Sequence, residues 1–251
     1  MQGLGFSLRA EALLTTLTLD VLKSTEIEGE ILNKEQVRSS IARRLGLNVS
    51  GMVNSTRDVD GVVEMMLDAT QRYNEPLSHE RLFGWHAALF PTGWSGMYRI
   101  EVGKYRTGEM QVVSGAMGKE RVHYEAPKPE IVSDEMEKFL SWFNHESSLD
   151  SVIKAAIAHL WFITIHPFDD GNGRIARAIT DMLLARSDGS SQRFYSMSNQ
   201  ILNERKTYYD ILERTQHGNG EITDWLLWFI KCLNGALSST EILLGSILTK
   251  A

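Results

Sequence analysis

The stretch HPFDDGNGRIAR, residues 166–177, gathers His166, Asp170, Gly171, Asn172, Gly173, Arg174 and Arg177, and each residue type suits one part of a phosphate chemistry. Histidine is the side chain whose ordinary pKa suits a proton acceptor near neutral pH. Aspartate offers a hard oxygen ligand for Mg2+, the usual companion of a polyphosphate. Glycines let a backbone approach an anion closely and take positive φ. Ile175, Ala178, Ile179, Met182 and Leu183 recur at helical spacing, so a helix over Arg174–Arg186 is expected just after the glycines. Its first N–H groups and positive dipole end form an anion site. Arg174 and Arg177, one turn apart, turn two guanidinium forks toward the same anion. Asp-Gly-Asn-Gly by itself is a common turn, and a lone His before Pro is usually structural. The combination is what points to chemistry.

Other elements must hold this loop. Upstream, Ser151–Ile165 reads as a helix with Val152, Ala155, Ala156 and Ile163 on its buried face, ending at His166-Pro167. Leu13, Leu14, Leu17, Val21 and Leu22 recur at helical spacing, as do Val37, Ile41 and Leu45. Asn33 with Gln36 reads as a capping pair and Gly46 as a stop. Further helices are expected at Val59–Tyr73, His79–Phe90, Ser133–His145, Leu202–Gln216 and from Thr223 onward. Between them, Met110-Gln111-Val112-Val113 and Arg121-Val122-His123-Tyr124 flank a glycine-rich turn, the mark of a short hairpin. The fold class is therefore all-α with one β-hairpin.

Composition narrows the function. The 251 residues are 43% hydrophobic and 23% charged, ordinary for a globular protein. A net charge of −6 spread along the chain argues against a nucleic-acid surface. One cysteine, Cys232, leaves no intramolecular disulfide and no cysteine-based metal site. No apolar run approaches the ~20 residues needed to span a bilayer, and MQGLGFSLRAEALL is not a secretory signal. A soluble cytoplasmic protein without membrane contact is expected, and nothing excludes a homodimer.

The loop resembles the signature of the Fic family, H-x-F-x-(D/E)-G-N-G-R-x-x-R, met at His166, Phe168, Asp170, Gly171, Asn172, Gly173, Arg174 and Arg177. GKYRTGEMQVV looks like the family's flap hairpin, and EAPKPEIVSDEMEKFLSWFN like its approach to the core helices. The resemblance is strong over residues 76–186 and looser elsewhere. It implies a Fic-type helical domain: 1–75 an N-terminal helical segment, 76–186 the core with flap and catalytic loop, and 187–251 helices packed on that core. It also implies transfer of AMP from ATP to a Ser, Thr or Tyr hydroxyl of a protein, with auto-modification included. His166 then takes the hydroxyl proton, and Asp170 holds Mg2+ between the α- and β-phosphates. The Gly171–Gly173 amides and Asn172 stabilise phosphate charge, Arg174 holds the β-phosphate and Arg177 the γ-phosphate. Phe168 is an apolar anchor. Met110, Gln111, Val112 and Val113 on the flap dock an extended segment of an unidentified target by β-augmentation.

A second stretch, KSTEIEGE at residues 23–30, has two readings. Alone it is a capping box, Thr25 as N-cap with Glu28 at N3, and Gly29 ending a helix. Given the resemblance, Ser24-x-x-x-Glu28-Gly29 matches the family's inhibitory motif (S/T)-x-x-x-E-(G/N). Ser24 and Glu28 are expected as i, i+4 neighbours on one helix, the hydroxyl orienting a carboxylate that occupies Arg177. The N-terminal region is similar to a bacterial subgroup whose members often carry more residues upstream and a winged-helix segment downstream. Neither is evident, so a short member or a piece of one is expected. For the adenine, SMSNQILNERKTYYDILERTQ resembles the post-core helix, with Asn203 and Tyr209 as the candidate contacts. Two other functions compete: removal of AMP from a modified protein, with Glu28 aligning a water, and a nucleotide-sensing interaction module.

Overall fold

Ten helices and two small hairpins make up the described residues, which in this computed structural model are 6–114 and 121–248. The helices are α1 (Phe6–Ile27), α2 (Lys34–Arg44), α3 (Arg57–Gln71), α4 (His79–Leu89), α5 (Pro129–His145), α6 (Ser151–Ile165), α7 (Asn172–Asp188), α8 (Met197–Asn203), α9 (Arg205–Gln216) and α10 (Thr223–Leu248). The strands are β1 (Trp94–Ser95), β2 (Tyr98–Arg99), β3 (Gln111–Ser114) and β4 (Arg121–Glu125). No helix among the described residues is long and apolar enough to cross a membrane.

α6 and α7 form the central pair, buried on almost every side. Phe162, Ile175, Ile179 and Met182 are fully buried there against residues of α3, α5 and α10 such as Met65, Phe139 and Trp225. Each such side chain contributes about 1.5–3 kcal/mol relative to exposure. α6 starts where expected because Asp150 caps it, accepting from the Val152 N–H at 2.9 Å. Its imidazole at His159 joins Thr180 of α7 and Tyr208 of α9, each at 2.9 Å, and links three helices. α1 lies against α2 and α8 and reaches α7. Asp20 fixes its depth, since Asp20 Oδ1 accepts from Ser196 Oγ at 2.5 Å and from the Ser198 N–H at 3.3 Å.

Four expectations change. α5 begins at Pro129 rather than Ser133, with proline at the first helical position, where its missing N–H costs nothing. α7 begins at Asn172, two residues before Arg174, so the glycine-bounded turn is already helix N-terminus. The single helix expected over Leu202–Gln216 is broken at Glu204, whose carboxylate accepts from Gln200 and from Trp228 of α10. There are two hairpins, not one. β1 pairs with β2 (Trp94↔Arg99, Ser95↔Tyr98) around Gly96 at φ +55°, and two-residue strands leave no alternating pattern to read. The hairpin that was expected pairs β3 with β4 antiparallel, with an irregularity between Val112 and Val113, and Met110 lies just before its first strand. Its glycine-rich turn lies outside the described residues.

Candidate active site

The site is built where α6 stops and α7 starts. His166 is the C-cap of α6 and sits in the left-handed region (φ 51°, ψ 59°), the one non-glycine residue with positive φ among the described residues. Its Nδ1 lies 3.1 Å from the Ile163 carbonyl, which only accepts, so Nδ1 carries the proton and Nε2 keeps a free lone pair. Burial holds the imidazole pKa below its ordinary value, and the Arg106 charge adds to that depression. A neutral base is the result.

Phe168 is fully buried, stacked on His86 with ring centroids 4.3 Å apart. It anchors the loop as expected. His86 accepts from the Gly103 N–H at 3.2 Å, and burial pushes its pKa down to about 4, so it is a neutral core ring. Asn172 differs from expectation. Its Oδ1 accepts from the Phe168 N–H at 3.0 Å and its Nδ2 donates to the Phe168 carbonyl at 2.8 Å. The side chain is spent on closing the loop, and only its backbone N–H is left for an anion. Gly171 requires glycine twice over: φ is +81°, and a Cβ would come within 2.9 Å of the Phe90 ring.

Asp170 Oδ1 accepts from the Gly171 N–H at 2.6 Å, and Oδ2 accepts from the Ser95 hydroxyl on β1. Asp169 accepts from the Glu101 N–H at 2.9 Å. Thus the unexpected hairpin and its exit segment steady both aspartates. Among the described residues no group of three or more His, Cys, Asp or Glu side chains could hold a metal ion. One carboxylate suits an ion that arrives with a nucleotide and fills its other positions with phosphate oxygens and water, as Mg2+ does.

The two arginines are both buried and both occupied. Arg177 donates from Nε to Ser24 Oγ (2.9 Å), from Nη2 to the Ser24 carbonyl (2.8 Å), and pairs through Nη2 with Glu28 Oε1 at 2.7 Å. Burial works against the Arg177 charge, but Glu28 together with Tyr208 and Tyr209 outweighs it and the guanidinium pKa is raised. The same Glu28 oxygen lies 2.1 Å from where a Cβ on Gly173 would sit, at the N-terminus of α7. Arg174 lies over the Phe90 ring at 5.1 Å and pairs with Glu30 Oε2 at 3.0 Å. Glu30 was missed, although it stands two residues beyond Glu28 in the same acidic stretch.

The end of α1 also corrects two expectations. The helix stops at Ile27, so Ser24 and Glu28 do not share one helix, and Ser24 holds Arg177 rather than Glu28. Thr25 is not an N-cap: it is buried inside α1 and donates to the Val21 carbonyl at 3.1 Å. Gly29 at φ +87° ends α1. The Gly29 N–H reaches the Glu26 carbonyl (3.0 Å) and the Glu30 N–H the Thr25 carbonyl (3.3 Å), the Schellman pattern. Glu28 is the C-cap residue, and its carboxylate faces the loop.

A cleft of about 570 Å3 opens between the flap, the loop and α9. Met110, Gln111, Val112 and Val113 line one wall, with His166, Asp170 and Gly171–Gly173 at its floor and Glu28 at its inner end. Tyr209 lines the opposite wall, with Arg205 over its ring at 5.3 Å. Asn203 is exposed at the end of α8 and is not part of the cleft lining, because the break at Glu204 re-phases the chain. Arg205, Tyr208, Leu212 and Gln216 do line it, and their three- and four-residue spacing on one helix face was the available signal. The flap is held over the cleft by Glu213, which pairs with Arg121 (2.6 Å) and His123 (2.7 Å), and by Tyr124, which donates to the Thr164 carbonyl at 2.8 Å.

Comparison with known proteins agrees with this geometry. Residues 76–184 match the Fic/DOC family, and residues 1–47 match a domain of unknown function, DUF4172. The chain is 29% identical over 186 residues to protein adenylyltransferase fic-1 of Caenorhabditis elegans, covering 68% of this chain and 32% of that protein. It is 22% identical over 232 residues to protein adenylyltransferase Fic of Nematostella vectensis, covering 88% and 49%. The chain therefore spans 32% of the first of these relatives and 49% of the second. The fold matches a Fic family protein from Desulfovibrio desulfuricans G20 (TM-score 0.70, 22% identity, 98% of this chain and 68% of that one). It equally matches a Fic domain containing signaling protein from Bacteroides thetaiotaomicron VPI-5482 (TM-score 0.70, 22% identity, 95% and 89%). The histidine-bearing turn, the glycine-bounded helix N-terminus and the flap described above all lie within the matched residues, and residues 76–184 form a domain of the Fic/DOC family.

Proposed function

We propose that this protein is a self-inhibited protein adenylyltransferase, moving AMP from ATP to a Ser, Thr or Tyr hydroxyl of a protein target. The observation that carries it is the state of the loop: His166 Nε2 is free at the cleft floor while Arg177 and Arg174 are each held by a carboxylate from the end of α1. In the productive state the target hydroxyl attacks the α-phosphorus, its proton passes to His166 Nε2, and the bond to the β-phosphate oxygen breaks. The uncapped N–H groups of Asn172 and Gly173 stabilise the phosphate charge as donors already fixed in place, whereas the Gly171 N–H is taken by Asp170 Oδ1. Asp170 holds the Mg2+ that enters with ATP. Arg174 takes the β-phosphate and Arg177 the γ-phosphate, which aligns the leaving group. The edge of β3, which pairs only with β4 among the described residues, takes an extended target segment.

Inhibition follows from competition. Arg177 makes its contact with Glu28 or with the γ-phosphate, and Glu28 also occupies the space above Gly173. In this reading residues 1–75 carry the inhibitory segment, 76–186 the catalytic core and 187–251 the wall facing the base. The second reading is removal of AMP, favoured by the Glu28 carboxylate lining the same cleft, where it could orient a water. ATP labelled at the α-phosphate separates the two. Label transferred to protein, increased by Glu28→Gly and dependent on Mg2+, supports adenylylation. Label lost from a premodified target, and only when Glu28 is present, supports removal.

A further inference from the structure

Arg106 is a buried arginine, only 2% exposed, with no carboxylate of the described residues at ion-pairing distance. Burial lowers its guanidinium pKa. A buried charge without a counter-ion is expensive unless hydrogen bonds surround it. Here they do, and every acceptor is a backbone carbonyl. Nε donates to His166 O at 2.8 Å, Nη1 to Gly108 O at 2.8 Å and Nη2 to Pro127 O at 2.5 Å. The Arg106 N–H adds a bond to Pro167 O at 2.9 Å.

The three carbonyls are not arbitrary. Gly108 and Pro127 stand at the two feet of the β3–β4 flap, just outside the bond from the Ala126 N–H to Met110 O at 2.9 Å. His166 is the residue in the left-handed region, a costly conformation that persists only where the surroundings over-determine it. Arg106 grips that residue's own carbonyl. The left-handed turn in turn lets Nδ1 reach Ile163 O and leaves Nε2 bare.

We propose that Arg106 is a positioning residue: one planar guanidinium fork sets the backbone of the base at His166 and, at the same time, the two feet of the flap that presents the target. It touches neither nucleotide nor target. Base and acceptor strand are thereby placed relative to each other by a single rigid group, independently of the nucleotide contacts at Arg174 and Arg177. A lysine cannot reproduce this, because a point charge on a flexible stem lacks the fork that meets three fixed carbonyls. The inference rests on the adenylyltransferase reading for its consequence, and on the geometry alone for the state of His166.

The test uses Arg106→Lys and Arg106→Gln, each in the full chain carrying Glu28→Gly. Three quantities are read: ATP affinity by calorimetry, the rate of α-phosphate label transfer, and the His166 tautomer by 15N-imidazole NMR, assigned with His166→Ala. We expect ATP affinity to stay within a few-fold and transfer to fall by about 10²-fold, the cost typical of a small misplacement. Both variants should also convert the Nδ1-protonated His166 signal into a tautomer mixture. The charges facing His166 are Arg106, Glu28 and Asp170, so Arg106→Lys, which keeps the charge, separates lost geometry from lost charge. Transfer close to that of the Glu28→Gly parent, with the tautomer unchanged, overturns the proposal. Loss of ATP affinity in step with transfer overturns it too, since that marks general collapse of the loop. If the parent itself transfers no label, the adenylyltransferase reading fails, and the tautomer still decides Arg106: an unaltered signal in both variants refutes it.

Discussion

The loop 166–177 and the segment 24–30 meet at two ion pairs, yet they are put together in opposite ways. The loop is largely self-contained: Asn172 closes on Phe168, Gly171 closes on Asp170, and His166 leans on Ile163. These bonds join residues a few positions apart, and Ser95, Glu101 and Arg106 steady the loop from outside. Glu26 pairs locally with Lys23 at 2.6 Å, but the segment's two carboxylates that reach the loop do nothing for their own neighbourhood. Glu28 and Glu30 extend from a helix end and find partners only across the molecule, at Arg177 and Arg174. They also stay in touch with solvent, at 29% and 50% side-chain exposure, whereas the arginines they hold are buried. On the proposed reading, the difference teaches how a site can be catalytically complete and still restrained. A loop braced this way would keep its geometry when the restraint leaves, and partly exposed carboxylates would lose little when phosphate displaces them.

The sharpest break of that comparison is at the base. His166→Ala should reduce transfer about 10²–10⁴-fold, the usual loss of general-base catalysis, with ATP affinity within a few-fold. It should do so equally in the Glu28→Gly background, because releasing the restraint does not replace a base. Near-normal label transfer would remove His166 from the chemistry.

Next comes the restraint. Glu28→Gly should raise transfer severalfold or more, and Glu28→Gln should do so at least in part while keeping the side chain's size and removing only its charge. Glu30→Gln added to either should give a further, smaller increase, since it frees Arg174 alone. Thermal melts should show a stability loss below the roughly 3–5 kcal/mol of breaking a fully buried pair, because Ser24 still holds Arg177 and Glu28 is partly solvated. If both Glu28 variants transfer no faster on a target the enzyme modifies, the ion pair is structural only.

Asn172→Ala probes whether the loop is as self-contained as its bonds imply. Two buried backbone groups of Phe168 lose their partner, which should cost about 1–3 kcal/mol in denaturant melts. Because the side chain is consumed locally, transfer should fall through disorder of the loop, and ATP affinity should fall with it. Intact stability would refute the assignment.

The smallest effect is in pH. The neutral imidazole is the active form, and burial depresses its pKa, so transfer by the Glu28→Gly enzyme should persist as pH falls through 6.5, with its acid limb below that. Stability runs the other way. Between the folded pKa and 6.5 the unfolded chain binds a proton that the folded imidazole refuses, so stability declines as pH falls through that window. Comparing His166→Ala melts with the parent isolates the contribution. An acid limb at or above 6.5 would contradict the buried, neutral base.

Much of this was legible in order along the chain. Helical spacing located α6 to the residue, because its buried face and the stop at His166-Pro167 announce it, and the Asp150 cap fixes the same start in the structure. The flap could be read from two short apolar runs around glycines. The small β1–β2 hairpin could not, since two paired residues per strand carry no period, and its value lies in one contact, Ser95 with Asp170. The roles of Asn172, Ser24 and Asn203 were misplaced for a common reason. Residue type shows which bonds a side chain is able to make, and only the assembled neighbourhood shows which partner arrives first.

Sequence by itself determined the residue set of the floor: a histidine, an aspartate, a glycine-bounded helix start and two arginines within twelve residues, closed in part by short-range bonds such as Asn172 with Phe168. Tertiary structure alone decided which carboxylates occupy those arginines, which guanidinium sets the base, and which face of α9 closes the cleft. Those contacts join residues from about 60 to more than 140 positions apart. Their partners are selected by how α1, the flap and α9 pack on α6 and α7, and no spacing along the chain encodes a distance created by packing.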